Sequence, residues 1–174
     1  MSGLIIPKTY IENIETPLIF LAGPIRSAPI WQDKAVNILL LKDPKLTVVS
    51  PRRGIRSSIN KFVLNGDENY FPRQRSWERY HLNIASKTGA ILFWLPGEID
   101  HNCEKVYAAM TRKELGDWST AYKYDKSIRF CIGSDGKFSE LDTLRYDLLM
   151  DIPNKDIKDS LEETCEEALR LANQ

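Results

Sequence analysis

Cysteine and histidine are scarce in this chain, and the scarcity closes off some chemistry. Three cysteines, Cys103, Cys131 and Cys165, are spread along 174 residues, and the histidines are His81 and His101. No CxxC pair occurs, so a zinc site is not expected. Widely spaced cysteines in odd number are expected to stay as reduced thiols in a cytoplasmic protein. Long apolar runs are also missing. The longest, Ala90 to Leu95, is far too short to span a bilayer, so no membrane partner is expected. The N-terminus, MSGLIIPKTYIENIETP, lacks a basic start followed by a long apolar stretch, so it does not read as a signal peptide. Neither sign of charge is in excess: Lys plus Arg and Asp plus Glu each number 24. That balance argues against a general binder of nucleic-acid polymers. A local anion site stays open, because a few arginines can cluster within a neutral whole.

What the chain does have suits one compact domain. Hydrophobic residues make up 43% and charged residues 28%, enough for a core and too apolar for low-complexity disorder. Leu18–Ala22 is a short apolar run stopped by Gly23-Pro24, which predicts a buried strand. Trp31 to Leu41 carries apolar residues at helical spacing, and Leu46–Val49 is β-branched and ends at Ser50-Pro51. Residues 52–72 are rich in Arg, Ser, Asn and Gly and read as a long functional loop. A helix is predicted over Arg73–Lys87, a strand over Ala90–Leu95, a helix over roughly Glu104–Ala121 and a strand over Ile128–Ile132. Asp147–Ile152 is expected to be a fifth strand and Lys155–Ala172 a terminal amphipathic helix. Strand and helix alternate almost throughout. The expected fold is therefore α/β, a three-layer Rossmann-like (flavodoxin-like) unit. Its sheet is mostly parallel and five-stranded, with helices on both faces, over 18–174, and residues 1–17 are an N-terminal arm.

In such sheets ligands bind beyond the carboxyl ends of the strands. Three segments fall just past a strand end: Gly23-Pro24-Ile25-Arg26, Ser50-Pro51-Arg52-Arg53 and Trp94-Leu95-Pro96-Gly97. Together they supply backbone N–H groups, cations and an aromatic surface, a pocket suited to a nucleoside or its phosphate. The first is neither a Walker loop nor GxGxxG. Two carboxylates also stand out, Glu78 near a helix start and Glu114 in Thr111-x-x-Glu114. Without a site, Glu78 is an exposed helical charge, and Thr111 with Glu114 is a capping box, Thr111 at the N-cap.

In combination these segments resemble the nucleoside 2-deoxyribosyltransferase-like family. Phe20-Leu-Ala-Gly-Pro-Ile25 with Trp31-Gln32 looks like its FLAGP opening, and Ser50-Pro-Arg-Arg53 like its second strand end. Gln74 to Glu78 looks like its Q-x-x-W-E helix and Phe93-Trp-Leu-Pro96 like its third strand end. Thr111 with Glu114-Leu115-Gly116 resembles its nucleophile box. The similarity runs in order over about residues 18 to 172. There are departures. The stretch from Gly97 to Ala109 is long, which leaves Glu104 as the fallback nucleophile. The family's Asp near the third strand end is absent, with Glu98 and Asp100 just beyond.

The resemblance implies cleavage of the N-glycosidic bond of a (deoxy)nucleoside or its 5′-monophosphate, with transfer to another base or to water. Glu114 would attack C1′ and form a glycosyl-enzyme intermediate, as in retaining glycosidases. Glu78 would position the sugar or handle a proton. The related deoxynucleoside-monophosphate N-glycosidases have a similar first loop whose arginine helps hold the 5′-phosphate. By that likeness Arg26, with Arg52 or Arg53, would hold a phosphate by an arginine fork. Trp94, Trp31 or Tyr70 would stack on the base. No metal or organic cofactor is needed for this chemistry, and a homodimer or larger homo-oligomer is implied. A glycohydrolase acting on NAD or another ribonucleotide, and a nucleotide-binding module without catalysis, stay open as alternatives.

Overall fold

In the computed structural model, the described residues are 3–7, 9–10, 14, 17–52, 62–63 and 71–174. In chain order the elements begin with β1 (Gly3–Ile5), β2 (Thr9–Tyr10), β3 (Leu18–Ala22), α1 (Trp31–Lys42), β4 (Thr47–Val49) and β5 (Phe62–Val63). They continue with α2 (Phe71–Thr88), β6 (Ala90–Leu95), α3 (Ala109–Tyr124), β7 (Phe130–Ser134), α4 (Leu141–Asp151), β8 (Ile157–Lys158) and α5 (Leu161–Ala172).

Six strands form one sheet in the order β1-β4-β3-β6-β7-β8, and every neighbouring pair is parallel. β2 and β5 pair separately as an antiparallel ribbon. Alternation of side chains along the strands divides the core in two. Phe20, Ala22, Phe93 and Leu95 point to one face, where they meet Trp77, Leu82 and Ala85 of α2, Leu115 of α3 and Leu148 of α4. Ile19, Leu21, Leu92 and Trp94 point to the other, against Trp31, Ala35 and Leu39 of α1 and Cys165 and Ala168 of α5. Helices therefore cover both faces, as the continuous apolar strands demand. No helix among the described residues is long and apolar enough to cross a membrane.

The sheet has six strands where the sequence predicts five, and the differences have local causes. Gly3–Ile5, in the stretch read as an N-terminal arm, pairs with β4 as an edge strand. Asp147–Ile152 is not a strand. Its residues up to Asp151 close α4, because Leu141, Leu148 and Ile152 meet the core at helical spacing while Leu149 and Met150 face solvent. The last strand is instead β8, two residues inside the span predicted as terminal helix. That helix starts only at Leu161, where the Ser160 hydroxyl accepts from the Glu163 N–H and caps it. α3 likewise begins at Ala109, later than the predicted Glu104.

The strand order fixes where a ligand can sit. From β3 the chain turns to β4 on one side, and it later crosses to place β6 on the other. The loops leaving β3 and β6 thus diverge and open a crevice at the carboxyl edge, the topological switch point.

Candidate active site

A cavity of about 440 Å³ fills that crevice, within the usual size of small-molecule sites. Its floor is Phe20 and Ala22 of β3 with Arg75 and Glu78 of α2. One wall is the loop Gly23–Ser27. The opposite wall is the β6–α3 connection, through Glu98, Asn102, Lys105 and Tyr107, and the first two turns of α3, with Thr111 and Glu114.

The loop after β3 is shaped from behind. Trp31 Nε1–H donates to the Pro24 carbonyl at 2.9 Å, and Gln32 Nε2 donates to the same oxygen at 3.2 Å. Two donors on one carbonyl pin the turn that carries Ile25 and Arg26 into the cavity wall. Gly23 is required at its start: a Cβ there would come within 2.4 Å of the Trp94 carbonyl oxygen and 2.6 Å of Trp31 Cζ2. Arg26 reaches the cavity and is exposed.

At the floor, one arginine joins the two predicted carboxylates. Arg75 Nη1 donates to Glu114 Oε1 at 2.9 Å and also to Glu78 Oε2. Gln74 Nε2 donates to the other oxygen of Glu78 at 3.1 Å. Both oxygens of Glu78 are thus engaged. Glu114 is different: among the described residues Arg75 alone bonds to it, through Oε1, and Oε2 has no partner. The three side chains are 23% (Arg75), 12% (Glu78) and 14% (Glu114) exposed, so their charges interact with little screening by water. Burial raises the proton affinity of the Glu114 carboxyl above the ordinary carboxylate range, against the bond and charge of Arg75. Burial opposes the Arg75 charge, but Glu114 and Glu78 outweigh it and hold the guanidinium above its ordinary value.

The start of α3 adds a partial positive charge. Its N-cap is Ala108, and its first intrahelical bond runs from the Arg112 N–H to the Ala108 carbonyl. The N–H groups of Ala109, Met110 and Thr111 therefore have no acceptor within the helix, and all three residues line the cavity. This end suits an anionic group. Among the described residues no cluster of three or more His, Cys, Asp or Glu is arranged to hold a metal ion.

The predicted site residues divide by this geometry. Glu114, Glu78, Gly23, Pro24, Ile25, Arg26 and Thr111 come together at the cavity. Thr111 is not an N-cap, since it lies three residues inside α3, and the capping-box reading of Glu114 goes with it. Trp94 does not reach the cavity. Its place on β6 turns it to the α1 and α5 face, where it packs on Gly133 and is 6% exposed. Trp31 is core and loop support, with no face open to a ligand. Arg52 pairs with Asp33 of α1 (3.3 Å) and is not part of the lining. Glu104 is exposed and off the cavity. Arg53 and Tyr70 lie outside the described residues.

Arg75 is a site residue that no sequence motif singles out. The one signal for it is its spacing, three residues before Glu78 on a predicted helix, which puts the two side chains on one face. Nothing local indicated that Arg75 would also reach Glu114, 39 residues on. In comparisons with known proteins, no family model and no curated protein matches the chain.

Proposed function

We propose that this chain cleaves the N-glycosidic bond of a nucleoside or nucleoside 5′-monophosphate, with Glu114 as nucleophile. One observation carries the reading. A largely buried carboxylate sits at the switch-point cavity with one oxygen fixed by Arg75 and the other without a hydrogen-bond partner among the described residues. That is the disposition of an aimed nucleophile, and the motif resemblance of residues 18 to 172 points to the same bond type.

In the proposed reaction Glu114 Oε2 bonds to C1′ as the bond from C1′ to the base nitrogen breaks. The electron pair leaves with that nitrogen, which takes a proton from solvent. Positive charge that builds at C1′ is met by the carboxylate, and a glycosyl ester results. Water then adds at C1′, loses a proton, and releases the sugar and the free carboxylate; a second base could take the place of water. Burial makes the carboxylate more basic and so a stronger nucleophile, while Arg75 keeps the ionised form accessible. Glu78, bonded at both oxygens, acts by holding Arg75 in line rather than by moving a proton. A 5′-phosphate fits the first turn of α3 with Arg26 and Lys105, which carry no ion pair among the described residues.

The test is a panel of ribo- and deoxynucleosides, each with and without a 5′-phosphate, and NAD, with released base quantified by chromatography. Base release from the deoxynucleotides, lost in Glu114→Gln, is expected. Release of nicotinamide alone would move the assignment to a NAD glycohydrolase. Ligand binding with no release from any compound would make the chain a nucleotide-binding module.

A further inference from the structure

Residues 96–108 connect β6 to α3 without a strand or helix of their own, yet this connection delivers the helix that carries Glu114. A wandering connection would let Glu114 drift from the anomeric carbon, and errors of about 1 Å in such alignment cost rate steeply. Three bonds fix it. The Gly97 N–H lies 3.0 and 3.1 Å from the two carboxylate oxygens of Asp135. The Ile99 N–H donates to the Ser27 carbonyl at 2.8 Å, tying this wall of the cavity to the other. The Tyr107 hydroxyl donates to the Pro96 carbonyl at 2.8 Å, closing the end of the connection onto its beginning.

Asp135 is the root of this arrangement and is itself well held. Its Oδ1 accepts the Lys137 N–H at 3.0 Å, and the adjacent Ser134 hydroxyl donates to the Leu95 carbonyl at 2.7 Å. Gly97 sits so close to the 134–138 turn that a Cβ on it would come within 2.6 Å of Lys137 Cβ. Burial, then the charges of Asp135 and Glu98, push the Tyr107 hydroxyl well above its ordinary value, so it stays a proton donor. Directly after Tyr107, Ala108 turns into α3 with a φ of 56°, a left-handed conformation that a residue with a side chain holds only under constraint.

We propose that Asp135 is a positioning residue for Glu114: it anchors the Pro96–Gly97 peptide, whose N–H it accepts and whose carbonyl takes the Tyr107 bond, and so fixes the start of α3. Asp135 is not part of the cavity lining, so it acts only through this connection. The proposal rests on the N-glycosidic reading for its kinetic test but not for its structural one.

Asp135→Ala removes both acceptors, whereas Asp135→Asn keeps one oxygen for the Gly97 N–H. In base-release assays Asp135→Ala is expected to lose on the order of ten- to a hundredfold in kcat with KM changed only a few-fold. Asp135→Asn should recover most of that loss. Tyr107→Phe should lose kcat likewise, and the double variant Asp135→Ala/Tyr107→Phe should lose less than the product of the two, since both act on one connection. A lower melting temperature with unchanged kcat in Asp135→Ala would make the bond merely structural and overturn the proposal. Equal loss in Asp135→Asn would overturn it too. If the wild-type chain releases no base at all, the N-glycosidic reading fails, and amide hydrogen exchange at Arg112, whose N–H bonds the Ala108 carbonyl at the start of α3, decides this proposal alone. Faster exchange in Asp135→Ala supports it; unchanged exchange refutes it.

Discussion

Replacing Arg75 by methionine removes the cation that two carboxylates share while keeping much of the side-chain volume. Both Glu78 and Glu114 lose a hydrogen bond, and their like charges face each other on a cavity floor where the two are only 12% and 14% exposed. Removing one partner of a fully buried ion pair costs roughly 3–5 kcal/mol. Here the three side chains keep 12–23% of their exposure, so the cost is about 2 kcal/mol near neutral pH. The loss depends on pH in a defined direction. The folded Glu114 carboxyl already holds its proton more tightly than an unfolded one, because burial raises it and Arg75 only partly offsets this. Stability linked to this group is fully present below the ordinary carboxylate range and is lost as pH rises through the raised value. Without Arg75 the rise is larger, so the penalty of the variant grows with pH. Urea unfolding of wild type and Arg75→Met should differ by about 2 kcal/mol near pH 7 and by less than about 1 kcal/mol near pH 4. The acid limb of any activity profile should also move to higher pH in the variant. An unfolding penalty that is the same at both pH values would refute the reasoning, as would none at all.

Other predictions concern the parts around this floor. Gly23→Ala puts a methyl against the Trp94 carbonyl and the Trp31 ring; it should cost about 1–3 kcal/mol in thermal or urea unfolding and weaken substrate binding, and a neutral effect would show that the turn is looser than described. His81 is fully buried between Trp77 and Tyr80, and burial pushes its imidazole down to about 4 despite its bond to the Trp77 carbonyl. A depressed histidine stabilises the fold above its unfolded value and loses that contribution as pH falls, here by up to about 3 kcal/mol between about pH 6.5 and 4. His81→Leu should flatten that acid-side loss in urea unfolding, and a variant as acid-sensitive as wild type would contradict the assignment.

How much of this was legible beforehand follows from the range of each signal. Leu18–Ala22 and Ala90–Leu95 stand at their predicted bounds, because an apolar run stopped by Gly or Pro is a local signal complete in itself. The turn at Gly23-Pro24 was placed at the ligand edge for the same reason. Asp147–Ile152 misled because four apolar residues in six mimic a buried strand; only the wider spacing from Leu141 shows the helix. β8 has two residues, too few to carry a period. Trp94 was expected in the pocket because it ends a strand, but parity along β6 decides which face it takes. Arg75 was invisible in its second role, since its bond to Glu114 depends on how α2 and α3 lie together over one sheet face. Local sequence names the carboxylates; only the assembled layers supply the cation between them.

In the proposed reaction Glu114 becomes covalently bonded to the sugar. Rapid-quench mass spectrometry of the protein mixed with a deoxynucleoside 5′-monophosphate tests this directly. An adduct of the sugar phosphate without its base is expected, mapped to the peptide containing Glu114 and absent from Glu114→Gln. Base release that continues undiminished in Glu114→Gln, or an adduct mapped to another residue, would contradict it.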